Sequence, residues 1–102
     1  MKIAEYTTSG PRSSNEDRVG HLLRDDGAMV LCIADGVATS GGGGRAAQHA
    51  IEACLKNSVA ITTDTLVRQF HSIHSEIRSL QNEKREWGRM ATTLTVGIAL
   101  RN

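Results

Sequence analysis

No apolar run in this sequence approaches the length that spans a membrane, and the opening MKIAEYTTS lacks the apolar core of a secretory signal. No charge of one sign prevails. Lys+Arg 12 against Asp+Glu 11 leave +1, so composition argues neither for nor against a polyanionic partner. There is no CxxC and no Cys/His spacing of a zinc site. Cys32 and Cys54 each fall inside an apolar face, where buried, reduced thiols are expected rather than a disulfide. Repeats and low-complexity linkers are absent, and 102 residues make one domain at most. The expectation is a soluble cytoplasmic protein without a nucleic-acid or membrane partner.

What is present reads as alternating short elements. KIAEYTT is an expected first strand, closed by the turn signal Ser9-Gly10-Pro11. RVGHLLR and AMVLCIA flank Asp25-Asp26-Gly27, a hairpin signal, with Asp26 and Gly27 as the two residues of a type I′ turn. The second arm is apolar throughout, as for a strand covered on both faces. RAAQHAIEACLKN carries a helical stripe at Ala47, Ala50, Ile51, Cys54 and Leu55. A second helix starts near Thr63 as N-cap, with Leu66, Phe70, Ile73, Ile77 and Leu80 as its stripe. ATTLTVGIAL alternates Leu94, Val96, Ile98 and Leu100 against small residues, as a strand does. The fold class is α+β, with a mostly antiparallel sheet and two helices packed on one face. Such a small sheet leaves an edge or face bare, so residues 1–102 are expected to be part of a larger domain and to self-associate.

The hairpin brings charges together. With a two-residue turn, Arg18 lies opposite Asp35, and Glu16 becomes its diagonal neighbour on the same face. Asp17 then points to the other face unless a bulge shifts the register. Clustered carboxylates repel unless a cation sits among them. Arg12 and Arg18 are candidates, and so is a divalent metal ion, which takes carboxylate and carbonyl oxygens such as those of Asp35 and Gly36.

At these residues the sequence resembles a known family. SGPRSSNEDRV is similar to the G-x-R-x-x-N-E-D opening of the metal-dependent Ser/Thr protein phosphatases, the PP2C or PPM family. LCIADGVATSGGGGRAAQHAIE resembles that family's apolar strand, Asp-Gly and following helix start, and MATTLTVGIAL its G-T-T-L strand. The order matches, and the three cover most of the chain. The resemblance implies the N-terminal portion of an α-β-β-α sandwich and a hydrolase of phosphoserine or phosphothreonine in proteins, with two Mn²⁺ or Mg²⁺ ions in a complete domain. Asp35 corresponds to the aspartate bridging the metals, Gly36 to the glycine whose carbonyl binds one, and Glu16 and Asp17 to the acidic pair at the metals. Arg12 corresponds to the arginine holding the substrate phosphate. A metal-activated water attacks phosphorus in line in that family. Phosphorylated proteins, and a cognate Ser/Thr kinase acting on them, are the implied partners.

The sequence also departs from the pattern. Val37, Ala38 and Thr39 follow Asp-Gly, Ala91 replaces the glycine of G-T-T-L, and no aspartate follows Asp64, whereas the family has two further metal-binding aspartates in its C-terminal half. The chain alone is therefore expected to be inactive. The competing reading is a non-catalytic remnant that binds a phosphoprotein or another partner. The tetraglycine Gly41–Gly44 is followed by neither lysine nor Ser/Thr, so a flexible flap beside Asp35 is expected rather than a nucleotide loop. His71 and His74, NEKREWGR, and Thr92 with Thr93 read as ordinary helix surface, a solvated helix end and strand residues.

Overall fold

The computed structural model describes residues 2–12, 14–38, 41–56 and 60–100. Three strands, β1 (Asp17–Leu23), β2 (Met29–Asp35) and β3 (Thr95–Ala99), form an antiparallel sheet in the order β1-β2-β3. Helices α1 (Gly43–Leu55) and α2 (Thr63–Leu80) separate β2 from β3, and a 3₁₀ turn spans Arg85–Trp87.

The core lies between one face of the sheet and the helices. Val30, Cys32 and Ala34 of β2 meet Ala47, Ala50, Ile51 and Cys54 of α1, with Ile73 of α2 behind them. The apolar stripe of α1 is therefore its buried face, and Leu94 and Val96 pack against the same cluster. α2 begins one residue earlier than the sequence suggests. Thr62 caps it, its hydroxyl accepting from the Thr65 amide while the Thr65 hydroxyl accepts from the Thr62 amide.

The opposite face is open. Leu31 and Ile33 of β2 are 42% and 57% exposed there, and Leu23 of β1 is exposed too. The second arm of the hairpin is thus covered on one face only. Of the alternating apolar residues of the last strand segment, Leu94, Val96 and Ile98 are on the helix side and Leu100 is exposed, so the uncovered apolar side chains are Leu100 and those of β2.

Two sequence expectations fail on backbone grounds. Residues 2–8 form no strand; the segment is held to β1 through side chains. Glu5 Oε1 lies 2.7 Å from His21 Nδ1, and the Asn15 amide donates to the Thr7 hydroxyl at 2.8 Å. A strand needs a backbone ladder, and no backbone hydrogen bond among the described residues joins 2–8 to the free edge of β1.

The hairpin register is the second. The loop has three residues, Asp25, Asp26 and Gly27, closed by Arg24 N–H to Ala28 O at 2.8 Å and Gly27 N–H to Arg24 O at 2.9 Å. Only Gly27 has positive φ, at 87°, whereas a type I′ turn needs two such residues. The Asp26 carboxylate accepts from the Ala28 amide and from Arg24 Nε, fixing the turn. The amide bond holds the Asp26 carboxyl below its ordinary pKa, with Arg24 adding to the effect. One extra loop residue moves the pairing by one, so Asp17 lies opposite Asp35 and Arg18 opposite Ala34.

Candidate functional site

The register decides which acid meets which. Asp17 and Asp35 are directly opposed at the open end of the hairpin, on the face away from the helices. Asp17, not Glu16, is therefore the cross-strand neighbour of Asp35. A hydrogen bond with the Asp35 carboxyl, then partial desolvation and the charge of Asp35, raise the pKa of Asp17; Arg12 and Arg18 pull it back down. A proton eases the crowding of the two groups, and a cation would ease it equally well.

Glu16 lines the same cleft as Asp17 and Asp35, but its carboxylate is engaged by α1. That helix starts on Gly42, which has no side chain to cap it, and carries no acidic residue in its first turn. The Glu16 carboxylate takes the vacant role by accepting from the Gly44 amide, with Ser14 donating to its second oxygen at 2.9 Å. Arg18 also serves the helix side. Its guanidinium donates to the carbonyls of Asn15 and Asp17 at 2.6 and 2.8 Å and to Gln48 of α1 at 3.1 Å. It does not sit between carboxylates in the way the two-residue turn implied.

These contacts require a close approach of β2 to α1. A Cβ on Gly43 would lie 2.6 Å from Val37 O, one on Gly44 2.7 Å from Glu16 Oε2, and one on Gly36 2.7 Å from Glu16 O. Gly42 to Gly44 are therefore a packed crossing rather than a flap. Thr39 and Ser40, part of that expected flap, lie outside the described residues.

Asp35 is held by β3's approach. Its amide donates to the Thr93 hydroxyl at 3.1 Å, its carbonyl accepts from the Thr93 amide at 3.0 Å, and Gly36 forms a bridge with Thr92. Thr93 thus positions the Asp35 backbone, a role its place in an alternating strand did not announce. Arg12, delivered by a turn in which its amide donates to Ser9 O, lines the same cleft as Asp17 and Asp35. The cleft encloses about 270 Å³ and is almost wholly polar, with Ser9, Ser14 and Asn15 on its walls. Asn15 is fixed by accepting from the Asp17 amide at 2.9 Å.

Two opposed carboxylates and a nearby backbone carbonyl suit a hard divalent cation, which takes oxygen donors and retains several waters. They suit it only in part. Among the described residues no three or more His, Cys, Asp or Glu side chains form a group that could hold a metal. His71 and His74 are exposed on α2. Trp87 is gripped by Lys84, 4.6 Å from its ring, and Arg45 at 5.9 Å, so NEKREWGR is a folded turn against the start of α1. No helix among the described residues is long and apolar enough to cross a membrane.

The sequence matches no family model and no curated protein. Solved structures do match. The serine/threonine phosphatase Stp1 from Staphylococcus aureus superposes with a TM-score of 0.82 at 19% identity, covering 92% of this chain and 40% of that one. A bacterial serine phosphatase gives 0.78 at 19% identity over 87% of this chain and 39% of its own. The S. agalactiae serine/threonine phosphatase gives 0.66 at 16% identity over 88% and 40%. The chain spans about two fifths of the length of these phosphatases. Its α+β fold is the one expected of the N-terminal portion of a PP2C-type phosphatase.

Proposed function

We propose that this chain is the metal- and phosphate-binding portion of a PP2C-type protein serine/threonine phosphatase acting in the cytoplasm. The observation that carries the proposal is the pairing of Asp17 with Asp35 at the mouth of a polar cleft that also contains Arg12. Asp17, Asp35 and the Gly36 carbonyl would hold Mn²⁺ or Mg²⁺, which supplies an acidified water and neutralises phosphoryl charge. Arg12 receives the phosphate, its guanidinium matching two phosphoryl oxygens. Thr93 keeps Asp35 in register, and Glu16 anchors α1 beneath the site rather than binding metal. Phosphoserine and phosphothreonine proteins are the substrates, supplied by a Ser/Thr kinase.

Two carboxylates bind a divalent ion weakly, since tight sites use more protein oxygens. Titration calorimetry of the 102-residue chain should therefore give weak Mn²⁺ binding, abolished in Asp35→Asn and in Asp17→Asn. A phosphoserine peptide should bind more weakly in Arg12→Ala. Tight stoichiometric Mn²⁺ binding, or weak binding unaltered in Asp35→Asn, would overturn the proposal. The incomplete donor set also favours a second reading, a non-catalytic module that binds phosphoproteins. Phosphopeptide binding that ignores Mn²⁺ would select it.

A further inference from the structure

Cys32 and Cys54 are far apart in sequence and on different elements, yet the fold brings their sulfurs to 3.2 Å. Cys32 sits in the central strand on the helix side, 1% exposed, and Cys54 in the penultimate position of α1, 3% exposed. The expectation of buried, reduced thiols holds for burial; spacing alone did not reveal that they touch. A disulfide needs its sulfurs about 2.05 Å apart, a closure of little more than 1 Å from the observed contact.

We propose that Cys32 and Cys54 are a peroxide-modification site that closes to an intramolecular disulfide, fastening α1 to the strand that carries Asp35. The thiol of Cys32 donates to the sulfur of Cys54, an interaction that pushes the pKa of Cys32 up and favours the thiolate at Cys54. The Cys54 thiolate displaces hydroxide from hydrogen peroxide, giving a sulfenic acid. The Cys32 sulfur then attacks Cys54, the S–O bond breaks, and water leaves with the Cys32 proton. The balance is two thiols and one peroxide to one disulfide and two waters.

Burial sets the class of oxidant. Both sulfurs lie within the cluster of Val30, Ala50 and Ile51, where a small neutral peroxide can diffuse but a bulky disulfide reagent has no path. The consequence for the fold is a second fastening of α1. Glu16 holds its first turn and the disulfide holds its last, so the helix and the Asp35 strand become one rigid unit.

Hydrogen peroxide titration of the folded chain, followed by denaturing alkylation and mass spectrometry, tests the inference. The expected product is a monomer lighter by two hydrogens, about 2 Da, with no alkylatable thiol and with both thiols restored by dithiothreitol. Trypsin should release residues 25–45 joined to residues 46–56. The folded chain should resist a bulky aromatic disulfide reagent over the same period, and the oxidised form should melt at a higher temperature. In Cys54→Ala the two-hydrogen loss should vanish. Should that variant not fold, the joined tryptic pair from the unmodified sequence still decides. Two free thiols after peroxide, sulfinic acid as the product, or cross-linked dimers would overturn it.

Discussion

Removing the Glu16 carboxylate should cost stability and leave the Asp17–Asp35 pair in place. The start of α1 has no cap of its own: Gly42 lacks a side chain and the first turn has no acid. In Glu16→Ala the Gly44 amide, in a buried residue, loses its charged acceptor. An unsatisfied buried donor, or a hydrogen bond to a charged group, is worth about 1.5–3 kcal/mol. The loss of an anion at a helix N-terminus falls within that range rather than adding to it. For a domain of this size each kcal/mol moves the melting temperature by about 4–8 °C, so a drop of roughly 6–24 °C is expected. Glu16→Gln keeps an oxygen acceptor without the charge and should lose about half as much. Circular dichroism melts at low Mn²⁺, paired with Mn²⁺ calorimetry on each variant, provide the assay. Asp17→Asn serves as the contrast, losing metal binding. If Glu16→Ala melts with the parent protein, or abolishes Mn²⁺ binding while Asp17→Asn leaves it intact, the division between the two neighbours is reversed.

Two further outcomes follow from the same geometry. The fold raises the pKa of Asp17 above its ordinary 3.8, so protonated Asp17 stabilises the native state below that value and the benefit is lost as pH rises through the raised pKa. Asp17→Asn should therefore melt higher than the parent near neutrality, with the gap closing in acid; a lower melting temperature at neutral pH would refute the proton-sharing pair. The open face centred on Leu31 and Ile33 should drive concentration-dependent self-association, since each of these half-exposed side chains gains roughly 1 kcal/mol on leaving water. Light scattering should show association that Ile33→Lys weakens, and equal association in both proteins would move the interface elsewhere.

The legible parts of the sequence were those governed by period. The stripe of α1 is the buried face found in the structure, and the hairpin stands where Asp-Gly separates two apolar runs. Its register was not legible, because two- and three-residue turns fit the same letters. The choice falls to Asp26, whose side chain closes the longer loop onto Ala28. The partners of Glu16 and Thr93 were also hidden. A capping acceptor supplied from just before β1, 28 positions away, and a hydroxyl reaching 58 positions back to Asp35 leave no local pattern. Residues 2–8 have strand composition, but side-chain bonds of Glu5 to His21 and of Thr7 to Asn15, not a backbone ladder, hold them.

The loop at Asp25–Gly27 thereby acquires authority over chemistry at the other end of the hairpin. Side chains on a strand alternate between faces, so loop length sets the parity that sends Glu16 to the helix and Asp17 to Asp35. Deleting one residue there would exchange their assignments without touching either acid. It would also turn His21 and Leu23 inward and set Gly20 outward. For such a chain, a loop indel eight residues from either of the paired acids, Asp17 and Asp35, is more drastic than most substitutions inside the site, and variation in hairpin length should be tolerated only in steps of two.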